Sequence, residues 1–179
     1  MLKRILLVLA FVVGASTPAL ALDPENTLYL DLKNGRVVIE LLPQVAPKTV
    51  ARMKELARQG FFDGTPIHRV IPGFMAQMGD PTGTGTGGSG QNLQAEFSTL
   101  RHERGTVSMA RAASLDSADS QFFICFAPAP FLDGKYTIWG RVVDGMQFVD
   151  RIKAGTEEDN GTVLLPDHIK TVKVAADVQ

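Results

Sequence analysis

Residues 27–42, TLYLDLKNGRVVIELL, alternate apolar and polar side chains on both sides of Asn34-Gly35. Leu28, Leu30 and Leu32 share one face of a first strand, and Val37, Ile39 and Leu41 share one face of a second. Asn-Gly between alternating runs predicts a two-residue hairpin turn, because both of its positions need a positive φ. Further short apolar runs follow at 67–71, 74–78, 106–110, 121–126 and 136–143, each bounded by Gly, Pro, Asp or Ser. Many short strands with few helices point to a mainly β fold. A closed antiparallel barrel is the expectation, since closure removes aggregation-prone edges.

Two helices interrupt the strands. Pro47 suits a first helical turn, Val50, Met53, Leu56 and Ala57 recur at helical spacing, and Gly60 ends the run. A second helix is predicted over 145–154, capped by Asp144, with Met146, Val149 and Ile152 on one face and Gly155 at its end. No internal repeat or interdomain linker divides the chain.

The first 21 residues have a different character. Lys3 and Arg4 precede an apolar run from Ile5 to Val13, and Ala19-Leu20-Ala21 fits a signal-peptidase site. That run is far short of the ~20 residues that span a bilayer. The expectation is a cleavable export signal at 1–21, one domain at 22–179, and a periplasmic protein with no stable membrane insertion. Two of the 18 basic residues lie in the leader, leaving 16 against 19 acidic ones. Such a balance gives no reason to expect nucleic-acid binding. Cys125 is the single cysteine, so no internal disulfide forms, and its apolar surroundings read as core.

Residues 83–88, GTGTGG, match G-x-G-x-x-G. A dinucleotide turn must open an amphipathic helix inside a βαβ unit. Here SGQNLQAEF follows, with no helical stripe, and Ser89 stands where a phosphate-binding loop carries lysine. An exported protein also meets little free dinucleotide. The match is a false positive.

HRVIPGFMAQMGD, SQFFI and FLDGKY occur in this order along the chain. Together they closely resemble the cyclophilin family of peptidyl-prolyl cis–trans isomerases, over nearly the whole of 22–179. The resemblance implies an eight-stranded antiparallel barrel closed at its ends by two helices. It also makes the glycine-rich segment a loop lining the substrate groove, where Gly85 lets a peptide come close.

An X–Pro amide resists rotation by ~18–20 kcal/mol, and its isomerisation needs no nucleophile, metal or cofactor. A catalyst must hold the proline ring and stabilise a twisted amide whose nitrogen is becoming basic. Arg69 is the candidate catalytic residue, since its guanidinium stays charged and donates in a fork. By the same resemblance Phe74, Met75, Phe123 and Leu132 form the proline pocket, and Gln77 contacts substrate backbone and orients the arginine. Ala110, Arg111 and Ala112 form a strand that pairs with the peptide, and Gln121 lines the groove. Taken singly, the four apolar residues are ordinary core and Arg69 an ordinary surface charge; their joint order carries the assignment. His68 lies on the opposite strand face from Arg69 and reads as structural. His102 and His168 show no ligand spacing with it, so no metal site is expected.

Three departures from the family pattern stand out. Phe131 replaces the tryptophan of cyclosporin-sensitive members, Tyr136 replaces their histidine, and Arg111 replaces a common asparagine. Both aromatics still line a proline pocket, but loss of the indole N–H predicts weak cyclosporin binding. Arg111 adds a cation at the rim, suited to acidic peptides. Two functional classes remain open at this point: an exported isomerase acting on proline-containing polypeptides during folding, and a proline-peptide binding or chaperone module with incidental catalysis. Nothing demands more than a monomer.

Overall fold

The computed structural model describes residues 21–156 and 158–178; the export signal expected at 1–21 lies, but for Ala21, outside them. The predicted hairpin forms from β1 (Thr27–Leu32) and β2 (Gly35–Leu41), paired Leu28 to Ile39 and Leu30 to Val37. Its turn is centred one residue earlier than expected, on Lys33-Asn34, and Asn34 does not take a positive φ. Gly35, the first residue of β2, does take a positive φ of 151°, and a Cβ there would also lie 2.5 Å from the Phe148 ring packed over the hairpin.

Helix α1 (Pro47–Arg58) begins at the predicted proline and buries Val50, Met53, Leu56 and Ala57. Ala46 offers no side-chain cap; the Glu96 carboxylate instead accepts from the Lys48 and Thr49 amides. Five short strands follow: β3 (Arg69–Ile71), β4 (Met75–Met78), β5 (Thr106–Met109), β6 (Phe122–Cys125) and β7 (Ile138–Asp144). The second helix, α2, covers only Met146–Val149, and Asp144 is the last residue of β7 rather than a cap. Gly145 turns the corner at φ 84°, and beyond Val149 the bonds tighten to i→i+3, as from Ile152 N to Val149 O. Val149 and Ile152 are nevertheless buried, so the apolar spacing holds although the helix stops. An eighth strand, β8 (Thr171–Val174), pairs with β1.

All strand pairs are antiparallel, in the order β3-β4-β6-β5-β7-β2-β1-β8. The expected closed barrel is not formed: edges β3 and β8 share no ladder, and the sheet is a curled, open half-barrel. Both edge strands are short, and Pro66, just before β3, has no N–H to extend a ladder. Irregular backbone covers the gap, with Gly64 N on Ile169 O, Ile67 N on Asp167 O and Ile169 N on Thr65 O. Exposed edge groups are thereby satisfied without closure.

Two apolar clusters result. The larger fills the inside of the sheet beneath α1 and contains Leu30, Ile39, Met53, Phe62, Phe122 and Trp139. The smaller lies on the opposite face of β4 and β6 and contains Met75, Phe123, Cys125, Ala129 and Leu132, flanked by Ile71, Phe74, Ala110 and Tyr136.

Candidate active site

The smaller cluster is the floor of a groove. A cavity of about 420 Å³ is lined by Phe74, Met75, Phe123, Phe131, Leu132 and Tyr136, with Arg69, Gln77, Ala110, Arg111 and Lys135 around it. Alternation along β4 puts Met75 and Gln77 on this face and Ala76 and Met78 in the main core. The same alternation along β6 supplies Phe123 and withdraws Phe122. Phe131 and Leu132 come from a single 3-10 turn, Pro130–Leu132, which buries Leu132 and leaves Phe131 59% exposed. The Phe131 ring centroid lies 5.3 Å from that of Phe74, and Tyr136 meets Phe123 edge-on at 6.0 Å.

Phe123 is also fixed from behind. His102 stacks on it at 6.1 Å, with Nδ1 3.0 Å from Asp133 Oδ1 and Nε2 3.1 Å from Ser108 Oγ. Burial pushes the His102 pKa down although Asp133 opposes it. Burial likewise pushes the Cys125 thiol up to about 12, which makes it an inert apolar neighbour, not a nucleophile.

Arg69 stands half-buried at the rim. Its Nη1 donates to Gln77 Oε1 at 3.1 Å, while Nε and Nη2 donate to the main-chain O and Oδ1 of Asn160, each at 2.9 Å. Burial lowers its pKa from the ordinary arginine value, yet a guanidinium remains protonated at neutral pH. Among the described residues no carboxylate pairs with it. Each terminal nitrogen keeps one further N–H. Gln77 Nε2 donates to Gln121 Oε1 at 2.8 Å, and Gln121 Nε2 donates to Gly87 O at 2.8 Å. A relay of side-chain amides thus ties the arginine to the glycine-rich loop.

Asn160 was not among the residues singled out from the sequence. It sits in a loop clamped to the free edge of β3, where Val70 N donates to Gly161 O at 2.7 Å and Gly155 N to Val70 O at 3.0 Å. It holds φ at 52°, uncommon for any residue but glycine. The Asn-Gly dipeptide is a turn signal in the sequence, but nothing local connects it to a strand ninety residues away.

The glycine-rich loop explains why its fingerprint misleads. Asp80, fully buried, folds the loop about its own carboxylate, which accepts from Thr82 N, Thr82 Oγ1, Gly85 N at 2.7 Å and Gly87 N at 3.1 Å. The amides that would cradle a phosphate are already spent, and no helix follows the loop. Gly85 instead lines a second cavity of about 480 Å³ with Gln77, Ala110, Arg111, Ala112, Asp119 and Gln121. Every residue proposed for the groove from the sequence therefore borders one of two adjoining cavities. One detail differs: β5 ends at Met109, so 110–112 form no strand. Ala110 N still bonds Gln121 O, but beyond it β6 has no further residue to offer. His68, just before β3, is buried and lines neither of these two cavities.

The profile of the family described as "cyclophilin type peptidyl-prolyl cis-trans isomerase/CLD" matches residues 27–174. The chain belongs to this family and is a peptidyl-prolyl cis–trans isomerase. It is 50% identical over 182 residues to a probable peptidyl-prolyl cis-trans isomerase of Brucella suis, covering 95% of this chain and 93% of the relative. Identity to peptidyl-prolyl cis-trans isomerase B of Bacillus subtilis is 45% over 133 residues, 73% of this chain and 92% of that one. Among solved structures, a cyclophilin-type isomerase of Cryptosporidium parvum, crystallised in the presence of the dipeptide Ala-Pro, superposes with a TM-score of 0.75 at 29% identity. The match covers 83% of this chain and 98% of that one.

Proposed function

We propose that this isomerase acts on exported polypeptides outside the cytoplasm, as a monomer, and that Arg69 supplies the catalytic electrostatics. The supporting observation is the arrangement of its guanidinium: bound along one side by Gln77 and Asn160, without a counter-charge among the described residues, and beside a cavity floored by Phe74, Met75, Phe123 and Leu132. The ring of a bound proline is held by Phe74, Met75, Phe123 and Leu132. As the amide twists, its nitrogen loses conjugation and gains a lone pair. One free guanidinium N–H donates to that nitrogen, and the other to the carbonyl that follows the proline. Both bonds are stronger in the twisted state than in either planar isomer, which lowers the barrier in both directions. Export is supported by the leader at 1–21; intact mass of protein recovered from the extracytoplasmic fraction is expected to begin at Leu22, and retention of Met1 there overturns it.

A protease-free isomerisation assay on a short X–Pro peptide tests the mechanism. Wild type accelerates the reaction, and Arg69→Ala lowers kcat/KM by roughly two to three orders of magnitude, about 3–4 kcal/mol, with its thermal midpoint kept. Near-normal turnover by a folded Arg69→Ala protein removes the arginine from the mechanism. If wild type binds the peptide without accelerating it, the groove is a binding module.

A further inference from the structure

The cavity above Phe74 and Phe123 is bordered by three cations, Arg69, Arg111 and Lys135, and by no carboxylate. Arg111 is held firmly without being neutralised. Its guanidinium lies 4.7 Å over the Tyr136 ring, and its donors go to main-chain carbonyls only, those of Ala112, Ala113 and Lys135. The Lys135 ammonium likewise donates to a carbonyl, that of Phe131. Neither side chain enters an ion pair among the described residues.

Asp119 and Asp133, among the described residues, are already occupied. Asp119, in the second cavity, accepts from Ser89 N, Ser89 Oγ and Gly90 N. Asp133 accepts from the His102 amide and faces its ring, behind the pocket floor. Arg111, Ala110 and Gln77 border both cavities. A peptide whose proline fills the first cavity and whose neighbouring residue reaches the second therefore runs along a border of which Arg111 is the one charged member.

We infer that Arg111, aided by Lys135, makes this groove select prolines that adjoin an acidic residue. The inference rests on the isomerase reading above and adds a substrate class to it. A carboxylate beside the proline meets a preorganised, uncompensated cation; a lysine there meets like charge. Because the carbonyl bonds and the Tyr136 face fix the guanidinium, little ordering is required when the substrate arrives.

The test uses the mature protein and two peptide series, with Glu, Gln or Lys placed before or after the proline. The expected result is a kcat/KM for Glu over Lys of about ten-fold or more in at least one series, falling as salt shortens the screening length. Arg111→Gln collapses that ratio within the variant's own data and Arg111→Glu inverts it. Lys33→Gln, on the distant hairpin turn, removes the same charge and leaves the ratio intact. A ratio near one in both series, or one that survives Arg111→Gln, overturns the inference. Failure to turn over any peptide, Gln included, strikes the isomerase reading instead.

Discussion

Strands β4 and β6 present one face to the main core and the other to the groove, and both faces are buried. Phe122 and Phe123 are 2% and 5% exposed, Met78 and Met75 0% and 1%. What separates the faces is the layer beyond them. Phe122 is enclosed on its side by Phe62 and Trp139 rings, each edge-on, at 5.8 and 5.5 Å. Phe123 meets half-buried Tyr136 and His102 and lines a cavity. The groove face also carries Gln77, whose amide reaches both Arg69 and Gln121. Low exposure alone does not identify a core; an apolar floor interrupted by one bonded polar side chain marks a site.

Adjacent substitutions break this comparison most sharply. Phe122→Ala removes a ring enclosed on all sides and is expected to cost about 3–5 kcal/mol, a fall in Tm on the order of 10 °C for a chain of this length. Phe123→Ala is expected to cost less stability, because its cavity is already present, and to raise KM through loss of the proline's packing surface. Thermal melts and peptide kinetics on both variants decide it. Equal losses of stability and equal kinetics would mean that the two faces are energetically the same.

Phe131 sharpens the comparison from the open side of the groove. It is 59% exposed and held against Phe74 by ring contact alone, so substitution there disturbs little of the fold. Its side chain cannot donate a hydrogen bond, whereas the tryptophan of cyclosporin-sensitive relatives can. Phe131→Trp is expected to tighten cyclosporin about ten- to a hundred-fold, roughly 1.5–3 kcal/mol, with a modest change in kcat/KM. Inhibition of wild type at low nanomolar concentration, or no gain from the tryptophan, contradicts that role.

The same two faces show how far the sequence could be read. Period-two alternation places β1 and β2, which pack one side on a dense core, whereas β3 to β7 are legible only as short apolar runs between turn residues, because strands such as β5 and β6 are buried on both faces. Alternation does not report whether the edges meet: the seam is bridged by irregular pairing of 64–67 with 167–169, which has no local pattern. Helix α2 is shorter than its apolar spacing suggests because i→i+3 bonds bury Ile152 as well as a helix would. In the groove, the apolar residues and Arg69 were legible only through their resemblance to a known family. The positions of Asp80 under the glycine loop and Asn160 beside Arg69 were not legible. Each acts through main-chain geometry, where a carboxylate replaces a phosphate in one case and a strained asparagine supplies two acceptors in the other.

Asn160 gives the smallest effect and the finest division between core and groove. It touches neither cluster, so its loss is expected to spare both packing and proline binding. Asn160→Gly relieves the positive φ and keeps the main-chain oxygen that receives Arg69 Nε, deleting only the Oδ1 acceptor of Nη2. Arg69 then retains Gln77 and one of its two bonds to position 160, and swings more freely about that pair. The expected result is a fall in kcat of about three- to ten-fold, near 1 kcal/mol, with KM and Tm little changed. Asn160→Asp restores the acceptor but brings a carboxylate against the guanidinium, offsetting the charge on which the proposed mechanism relies. It is therefore expected to be slower than Asn160→Gly, although its hydrogen bond is the stronger. If the aspartate variant recovers wild-type kcat, holding the arginine in place is all that position 160 does, and the uncompensated charge on Arg69 is not what the reaction uses.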